Sequence, residues 1–499
     1  MSGHGVYEKL TGDNGVRHRK GEETSDQGSQ YGSVVIENEV ELKKEVGLIG
    51  GISLIVGTII GSGIFISPKG VLQMTGSVGL SLIVWAGSGV LAMLGSLCYS
   101  ELGTLVKQSG GEYAYLNEAF GPIVAFLYAW NSIIVIRPSS IAIICLTFAE
   151  YVESFFPSCG TPQIPMKIVA AAAIVTLMIV NSLSVKAAAR VQILFTAAKL
   201  IALGIIIVGG IVKMAQGSTS EFKDSFKGTT KSPSIIALAF YQALWAYDGW
   251  NNLNYVTEEI DKPEKNLPRA NIIGVALVTV VYVLTNISYL TAMTSAELLK
   301  SSAVAVTWGD RVLGSAATIL PVAVLFSTYG SANGTVFSGG RVVFVAGRAG
   351  HLPEFMSYIH VKLLTPMPSI IFTCSIALIM IGISNISTLV DFFSFTAWLF
   401  YGVTVASLLV MRFTKKNEKR VIKLPIVIPI LFLLCAIYLV IAPIVEDPQI
   451  QFLYAAIFVV GGLVFYIPFV HFKILKIDTI TTWLQMFLEI APSQHMPEN

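Results

Sequence analysis

Beyond residue 45 the chain changes from polar, acid-rich text into long apolar runs separated by short polar stretches. A spanning helix needs roughly 20 mostly apolar residues. About twelve runs meet that length, centred near residues 60, 90, 135, 175, 200, 243, 280, 328, 375, 400, 433 and 460. The pattern predicts an all-α polytopic membrane protein in three parts. Residues 1–45 read as a disordered cytoplasmic tail without the apolar core of a signal peptide. Residues 46–475 hold the spans, and residues 476–499 form a cytoplasmic C-terminal segment. The run over residues 314–345 is longer than one span, and residues 104–121 are too polar to cross and are expected to re-enter from one side.

Two runs are interrupted. The first reads Gly57-Thr58-Ile59-Ile60-Gly61-Ser62-Gly63-Ile64-Phe65, and each glycine weakens a helix by about 1 kcal/mol relative to Ala. The sixth reads Trp245-Ala246-Tyr247-Asp248-Gly249-Trp250-Asn251-Asn252, where a carboxylate, a glycine and two asparagines break an apolar span. A break at membrane depth survives only where it lines a protected cavity, and paired breaks in two halves point to a transporter with an inverted repeat and a midplane site. If the outer half of the first helix starts near Ser62, Gly63 and Ile64, its free amides suit a carboxylate. Carbonyls at the end of the other half-helix, near Trp245, Ala246 and Tyr247, suit an ammonium. Together with Thr58, Ile59, Asp248 and Asn251 they describe a site for the backbone of an α-amino acid. The competing explanation is that Gly61 and Gly63 serve only close helix packing.

Composition agrees with lipid as the solvent. Hydrophobic residues make up 54% of the 499 positions, charged residues 13%, and mean hydropathy is +0.70. An ordinary soluble domain carries roughly 25% charge. Soluble enzymes and nucleic-acid binders are thereby excluded, and a net charge of +2 points to no polyanionic partner. With the N-terminus inside, the inner loops collect most Lys and Arg, including Arg412, Lys415, Lys416, Lys419, Arg420 and Lys423. One outer loop, with Lys213, Lys223, Lys227 and Lys231, runs against the rule. Both termini are expected in the cytoplasm. No nucleotide-binding loop, metal-ligating cluster or nucleophile triad is legible, so neither cofactor nor metal is expected. Few charges remain inside spans, chiefly Arg137, Lys199 and Asp248, and such residues are functional hypotheses by default. Asp248 could pair with a cationic substrate side chain, or serve as a structural acceptor. Of five cysteines, Cys98, Cys145, Cys374 and Cys435 fall in apolar runs, whereas Cys159 lies in a polar outer loop where it can reach another chain.

The first interrupted run, followed by Ser67-Pro68-Lys69-Gly70, resembles the first helix of the light subunits of heteromeric amino-acid transporters, in the amino acid–polyamine–organocation superfamily. Glu101-Leu102-Gly103, Ser109-Gly110-Gly111, Asn254-Tyr255-Val256-Thr257-Glu258-Glu259, Asn266-Leu267-Pro268 and Gly350-His351-Leu352-Pro353 extend the likeness over about residues 40–490. Leu244-Trp245-Ala246-Tyr247-Asp248-Gly249-Trp250 is most similar to the b(0,+)-type transporters of cystine and cationic amino acids. The resemblance implies twelve spans in a five-plus-five inverted repeat (LeuT-like) and a plasma-membrane location. It implies sodium-independent exchange of cationic and neutral amino acids and cystine by alternating access. Alternatives are a cystine/glutamate or large-neutral amino-acid exchanger, or an amino-acid sensor without turnover.

The resemblance also implies residue roles. Lys199 would stand in for the sodium ion that joins the first and eighth helices in sodium-coupled relatives, unless it snorkels to the interface. Arg137 matches an arginine that helps hold anionic substrate in the cystine/glutamate exchanger, whose second arginine is replaced here by Ala397. Trp245 would close over substrate from outside, unless it serves only lipid or core packing, and Cys159 would join a single-pass glycoprotein heavy subunit through a disulfide.

Overall fold

In hydrocarbon every backbone N–H and C=O must be satisfied within the protein, and an apolar run does so most simply as a helix. The computed structural model describes residues 46–492 apart from 107–109, 154, 157–162, 184, 302, 364, 384, 447–449 and 473–477. Helices α1 (Leu48–Ile59) and α2 (Gly63–Thr75) form one apolar stretch bent by 51° at the break between them. Then come α3 (Val78–Leu105), the short α4 (Glu112–Phe120), α5 (Pro122–Asn131) and α6 (Arg137–Glu153). A π-turn, Ser132–Ile136, joins α5 to α6 in a single 32-residue span. Helices α7 (Gln163–Leu183), α8 (Val185–Ala215), α9 (Pro233–Ala246) and α10 (Pro263–Ala292) follow. The outer elements α11 (Ser295–Lys300) and α12 (Val304–Val312) lead to α13 (Ile319–Arg348). The chain closes with α14 (Met367–Ile383), α15 (Ile386–Thr414), α16 (Val427–Glu446), α17 (Ile450–Phe465) and α18 (Asp478–Leu488).

Among the described residues eight helices are long and apolar enough to cross a membrane, nine with the bent α1–α2 pair counted as one span. The run over residues 314–345 forms one long span, and the polar stretch of residues 104–121 contains the short helix α4. The only strands described, β1 (Tyr358–His360) and β2 (Ile490–Pro492), pair antiparallel and tie the C-terminal segment to the loop before α14. Large aliphatics remain exposed along α8 (Ile201, Val208, Ile211) and α16 (Leu434, Ile437, Ile441). In water such bands would drive association; here they are the lipid-facing surface.

Polar residues inside the bundle are used in tertiary contacts. Glu101, fully buried on α3, accepts from Arg412 Nε at 3.1 Å and from another Arg412 nitrogen at 2.6 Å. It also accepts from Arg420 at 3.1 Å and from the Leu424 amide at 2.9 Å. One carboxylate thus staples α3 to α15 and to the loop before α16. Removing one member of a buried ion pair leaves the others uncompensated, at about 3–5 kcal/mol. Glu101→Ala is expected to lower the thermal transition of the detergent-solubilised protein more than any exposed Glu→Ala change; an unchanged transition would refute the staple. In the same way Asn254 Nδ2 donates to Tyr99 O at 2.7 Å and to the Tyr115 hydroxyl at 2.9 Å. A Cβ at Gly103 would sit 2.7 Å from that Nδ2, so this glycine is needed for close approach.

Candidate functional site

The two interruptions meet. Helix α1 ends at Ile59 and α9 at Ala246, and between them stands Tyr282 of α10. Its buried hydroxyl lies 2.8 Å from Ile59 O and 2.9 Å from Ala246 O, so one proton is shared between the final carbonyls of both helices. The C-terminal carbonyls expected to be free are therefore already held, by a tyrosine that the sequence pattern does not single out. Further along, the Asp248 amide donates to Trp245 O at 3.1 Å, and Gly249, with φ +105°, turns the chain into a short 3-10 helix, Asn252–Glu259.

At the start of α2 the amides of Ser62, Gly63 and Ile64 donate to no backbone carbonyl, as a helix N-terminus requires; Phe65 is the first to do so, to Ser62 O at 3.0 Å. The Ser62 hydroxyl is buried there without a hydrogen-bond partner among the described residues. Gly63 does two structural things at this point. Gly63 starts a half-helix with free amides, and it also packs: a Cβ on it would lie 2.4 Å from Ala246 Cα. Thr58 donates back to Leu54 O at 2.7 Å and stands 3.5 Å from Gly249 O, so α1 touches the second break at this side chain too.

A small polar chamber adjoins the breaks. Its volume is about 20 Å³, room for roughly one water. Asp248, Asn251, Arg137, Glu112, Tyr255 and Tyr401 line it, with Ala397 at its apolar side. Asp248 Oδ1 accepts from the Tyr401 hydroxyl at 2.8 Å. Arg137 lies over the Tyr255 ring, 5.3 Å from its centroid, and its Nε is buried without a hydrogen-bond partner among the described residues. The π-turn just before Arg137 sets the register that aims it, and such turns recur at functional sites. Asp248, Asn251, Arg137 and Ala397 are thus gathered around one chamber. Thr58, Ile59, Ser62, Gly63, Ile64, Trp245, Ala246 and Tyr247 form the break itself and do not line the chamber. Trp245 is 7% exposed within the core.

Glu112 is the residue the charge reading passed over. It is fully buried, hydrogen-bonded by Asn251 Nδ2 and by the Tyr128 hydroxyl at 3.3 Å. The Tyr128 and Tyr255 hydroxyls are 2.9 Å apart, which closes the ring of polar groups. The signal was the pair Gly110-Gly111 directly before it. Their φ angles of +118° and +55° belong to glycine, and the turn they make sends Glu112 inward at the first turn of α4.

Lys199, 1% exposed on α8, places Nζ 2.5 Å from Gly57 O, one of the last carbonyls of α1. It supplies positive charge to the C-terminal end of a half-helix, where cations are favoured. The nearby α13 carries Ser327 and Ser331, whose buried hydroxyls have no hydrogen-bond partner among the described residues, and a Cβ on Gly61 would lie 3.3 Å from Ser331 Oγ. A lysine fixed in this way is not snorkelling. Lys199→Met is expected to cut uptake about tenfold, since Gly57 O loses its partner. Uptake measured in proteoliposomes at equal protein insertion checks it, and wild-type rates from Lys199→Met would refute it.

Interrupted membrane helices that meet beside a buried charged chamber define a membrane transporter of the broken-helix type. The chain belongs to the amino acid permease family, whose model matches residues 46–466, and it is a transporter rather than an enzyme. It is 54% identical over 492 residues to the human b(0,+)-type amino acid transporter 1, covering 98% of this chain and all of that protein. The rat b(0,+)-type amino acid transporter 1 is 54% identical over 462 residues, 92% of this chain and 95% of that one. The human cystine/glutamate transporter is 43% identical over 465 residues, 92% of this chain and 93% of its own. Cys159 lies outside the described residues; Cys98, Cys145 and Cys374 are buried and free, and Cys435 is free and partly buried.

Proposed function

We propose that this permease is a sodium-independent amino-acid exchanger that takes cationic and neutral amino acids and cystine. The observation that carries the reading is the chamber at the second break, where Asp248 and Glu112 place two carboxylates opposite the single guanidinium of Arg137. Excess negative charge in a low-dielectric site favours a substrate that brings a cation. The match along the whole of a b(0,+)-type relative supports the same class. Ala397 stands where the resemblance places a second arginine, which argues against glutamate.

The substrate backbone binds at the breaks, its carboxylate on the amides of Ser62, Gly63 and Ile64 and its ammonium on the carbonyls of Ile59 and Ala246. Tyr282 must release those carbonyls as the ammonium arrives, so the empty carrier already holds a substitute donor. A cationic side chain then reaches Asp248. No bond is made or broken; the helices rock and the occupied site opens on the other side. Trp245, at the last turn of α9, closes the outer side. Lys199 replaces a coupling ion between α1 and α13, so no sodium gradient is needed.

The three shorter apolar helices, Pro233–Ala246, Met367–Ile383 and Leu453–Pro468, together with the eight long spans and the bent pair, bring the crossings to twelve. Twelve crossings, with breaks in the first and sixth, fit a five-plus-five inverted repeat. The Lys and Arg bias supports cytoplasmic termini, with residues 1–45 and 476–499 flanking a transporter domain of residues 46–475, and the resemblance supports the plasma membrane. Cys159 then faces outward and links a single-pass glycoprotein heavy subunit. On a non-reducing gel of cell membranes, Cys159→Ser is expected to lose the high-mass band; persistence of that band would refute the link.

Purified protein in liposomes tests the main reading. Labelled arginine should exchange for internal unlabelled leucine, with the same rate when choline replaces sodium. Binding of arginine without counterflow, or a rate that follows the sodium gradient, would overturn it.

A further inference from the structure

Where α15 gives way to α16, a second cavity of about 720 Å³ opens at the protein surface and shares no lining residue with the chamber. Its wall carries Arg412, Lys416, Arg420 and Lys423. Two of these are fixed: Arg412 and Arg420 are held by the buried Glu101, and their side chains are 9% and 8% exposed. The other two, Lys416 and Lys423, are exposed, and among the described residues neither has an ion-pair partner. Against these four cations stand Glu101 behind the wall and Glu418, which is already 3.3 Å from Lys415. The cavity therefore keeps an excess of positive charge.

Its rim is apolar. Phe413 and Ile426, 78% and 49% exposed, line it, and Val427, 67% exposed, follows directly in the chain. They run directly into the exposed face of α16, where Ile430, Leu431 and Leu434 stand toward lipid. A cationic cavity at the polar end of a lipid-facing helix lies at head-group level, and basic pockets between spanning helices suit phosphate-bearing head groups. Its volume falls in the range of about 300–1,000 Å³ typical of small-molecule sites, far more than one phosphodiester fills. We propose that this cavity binds the head group of a phosphorylated inositol phospholipid. Its ring phosphates sit between Lys416 and Lys423, the Arg412–Arg420 pair forms the fixed positive floor, and the acyl chains lie along Ile426, Val427 and the outer face of α16. Through Glu101 the floor is bonded to α3, so the site is mechanically joined to the helix that follows the first break.

The test uses the full chain in detergent and the water-soluble dioctanoyl form of phosphatidylinositol bisphosphate, followed by thermophoresis. Lys416→Ala with Lys423→Ala is expected to weaken binding about 30-fold, from roughly one lysine's worth of head-group attraction each. Both lysines are exposed, so the double variant should keep the wild-type thermal transition. Lys419→Ala, exposed on the same loop but outside the cavity, should bind as wild type. Soluble inositol trisphosphate should bind at least about tenfold more weakly, because it lacks chains for the apolar rim. Unchanged binding by the double variant overturns the proposal. So does an equal loss in Lys419→Ala, equal affinity for inositol trisphosphate, which marks a free-phosphate site, or equal affinity for dioctanoyl phosphatidylserine, which marks diffuse attraction.

Discussion

Asp248→Asn is expected to reduce arginine uptake by on the order of 30-fold or more, with leucine uptake nearly unchanged. The substitution keeps the shape of the side chain. Its amide oxygen can still accept from the Tyr401 hydroxyl, now 2.8 Å from Asp248 Oδ1, so the local fold is preserved. What changes is the charge balance of the chamber. With Asp248 ionised, two carboxylates face Arg137; with Asn, Glu112 alone remains, and Arg137 matches it. The chamber, now the size of about one water, must widen for a substrate guanidinium; in the altered chamber that group meets no net negative charge after losing its water, and a desolvated cation without a counter-charge is costly. Leucine brings no charge past its backbone groups, which bind at the breaks, so it should not sense the change. Initial rates of both substrates in proteoliposomes, at matched protein levels, decide the matter. Equal losses would mean that Asp248 is a structural acceptor for Tyr401.

Glu112→Gln removes the other carboxylate and separates the two roles further. Asn251 and Tyr128 hold Glu112, so its loss disturbs the ring of hydrogen bonds as well as the charge. The drop in arginine uptake should accordingly be joined by a drop in leucine uptake, in contrast to Asp248→Asn.

The parts of the site that were legible in the sequence are those whose signal is local. Glycines at 57, 61 and 63, and Asp248 within an apolar span, each violate the composition of a membrane helix at their own position. The same holds for Arg137 and Lys199, charges with nowhere polar to go nearby. The parts that were not legible depend on partners far away in the chain. Tyr282 is an ordinary aromatic in an apolar helix; its importance comes from two carbonyls, 223 and 36 residues away, that converge on it. Glu112 sits in a stretch too polar to span, where an acid raises no alarm. Only the backbone turn at Gly110-Gly111 carries it 139 residues' separation from Asn251 and into contact. Glu101-Leu102-Gly103 was readable as a motif, yet its meaning is packing and ion pairing with residues more than 300 positions on. Span counting met a physical limit of another kind. The apolar run near residue 243 reads as a full crossing, yet its helix, Pro233–Ala246, has only 14 residues because the break at Asp248-Gly249 ends it.

Gly63→Ala is expected to bring exchange below about one-tenth of wild type for every substrate, with the protein still inserted. The added methyl would stand 2.4 Å from Ala246 Cα and 2.6 Å from Ala246 Cβ. The first of these is backbone, so no rotamer change relieves it, and the two interrupted helices must part. Parting them pulls Ile59 O from Ala246 O, whose present spacing lets Tyr282 bond both, and widens the cradle for the substrate backbone. The neighbouring Gly61→Ala should be much milder, because its Cβ would meet the Ser331 side-chain oxygen at 3.3 Å, and a hydroxyl can turn aside. Adding Ala246→Gly to Gly63→Ala should restore little, since the nearest clash is with the Cα that glycine keeps. Exchange assays on the three variants, with surface biotinylation to confirm insertion, separate the possibilities. Wild-type exchange by Gly63→Ala, or equal defects at Gly61 and Gly63, would show that the contact of the two breaks does not set transport; recovery in the double variant would place the clash at Ala246 Cβ instead of Cα.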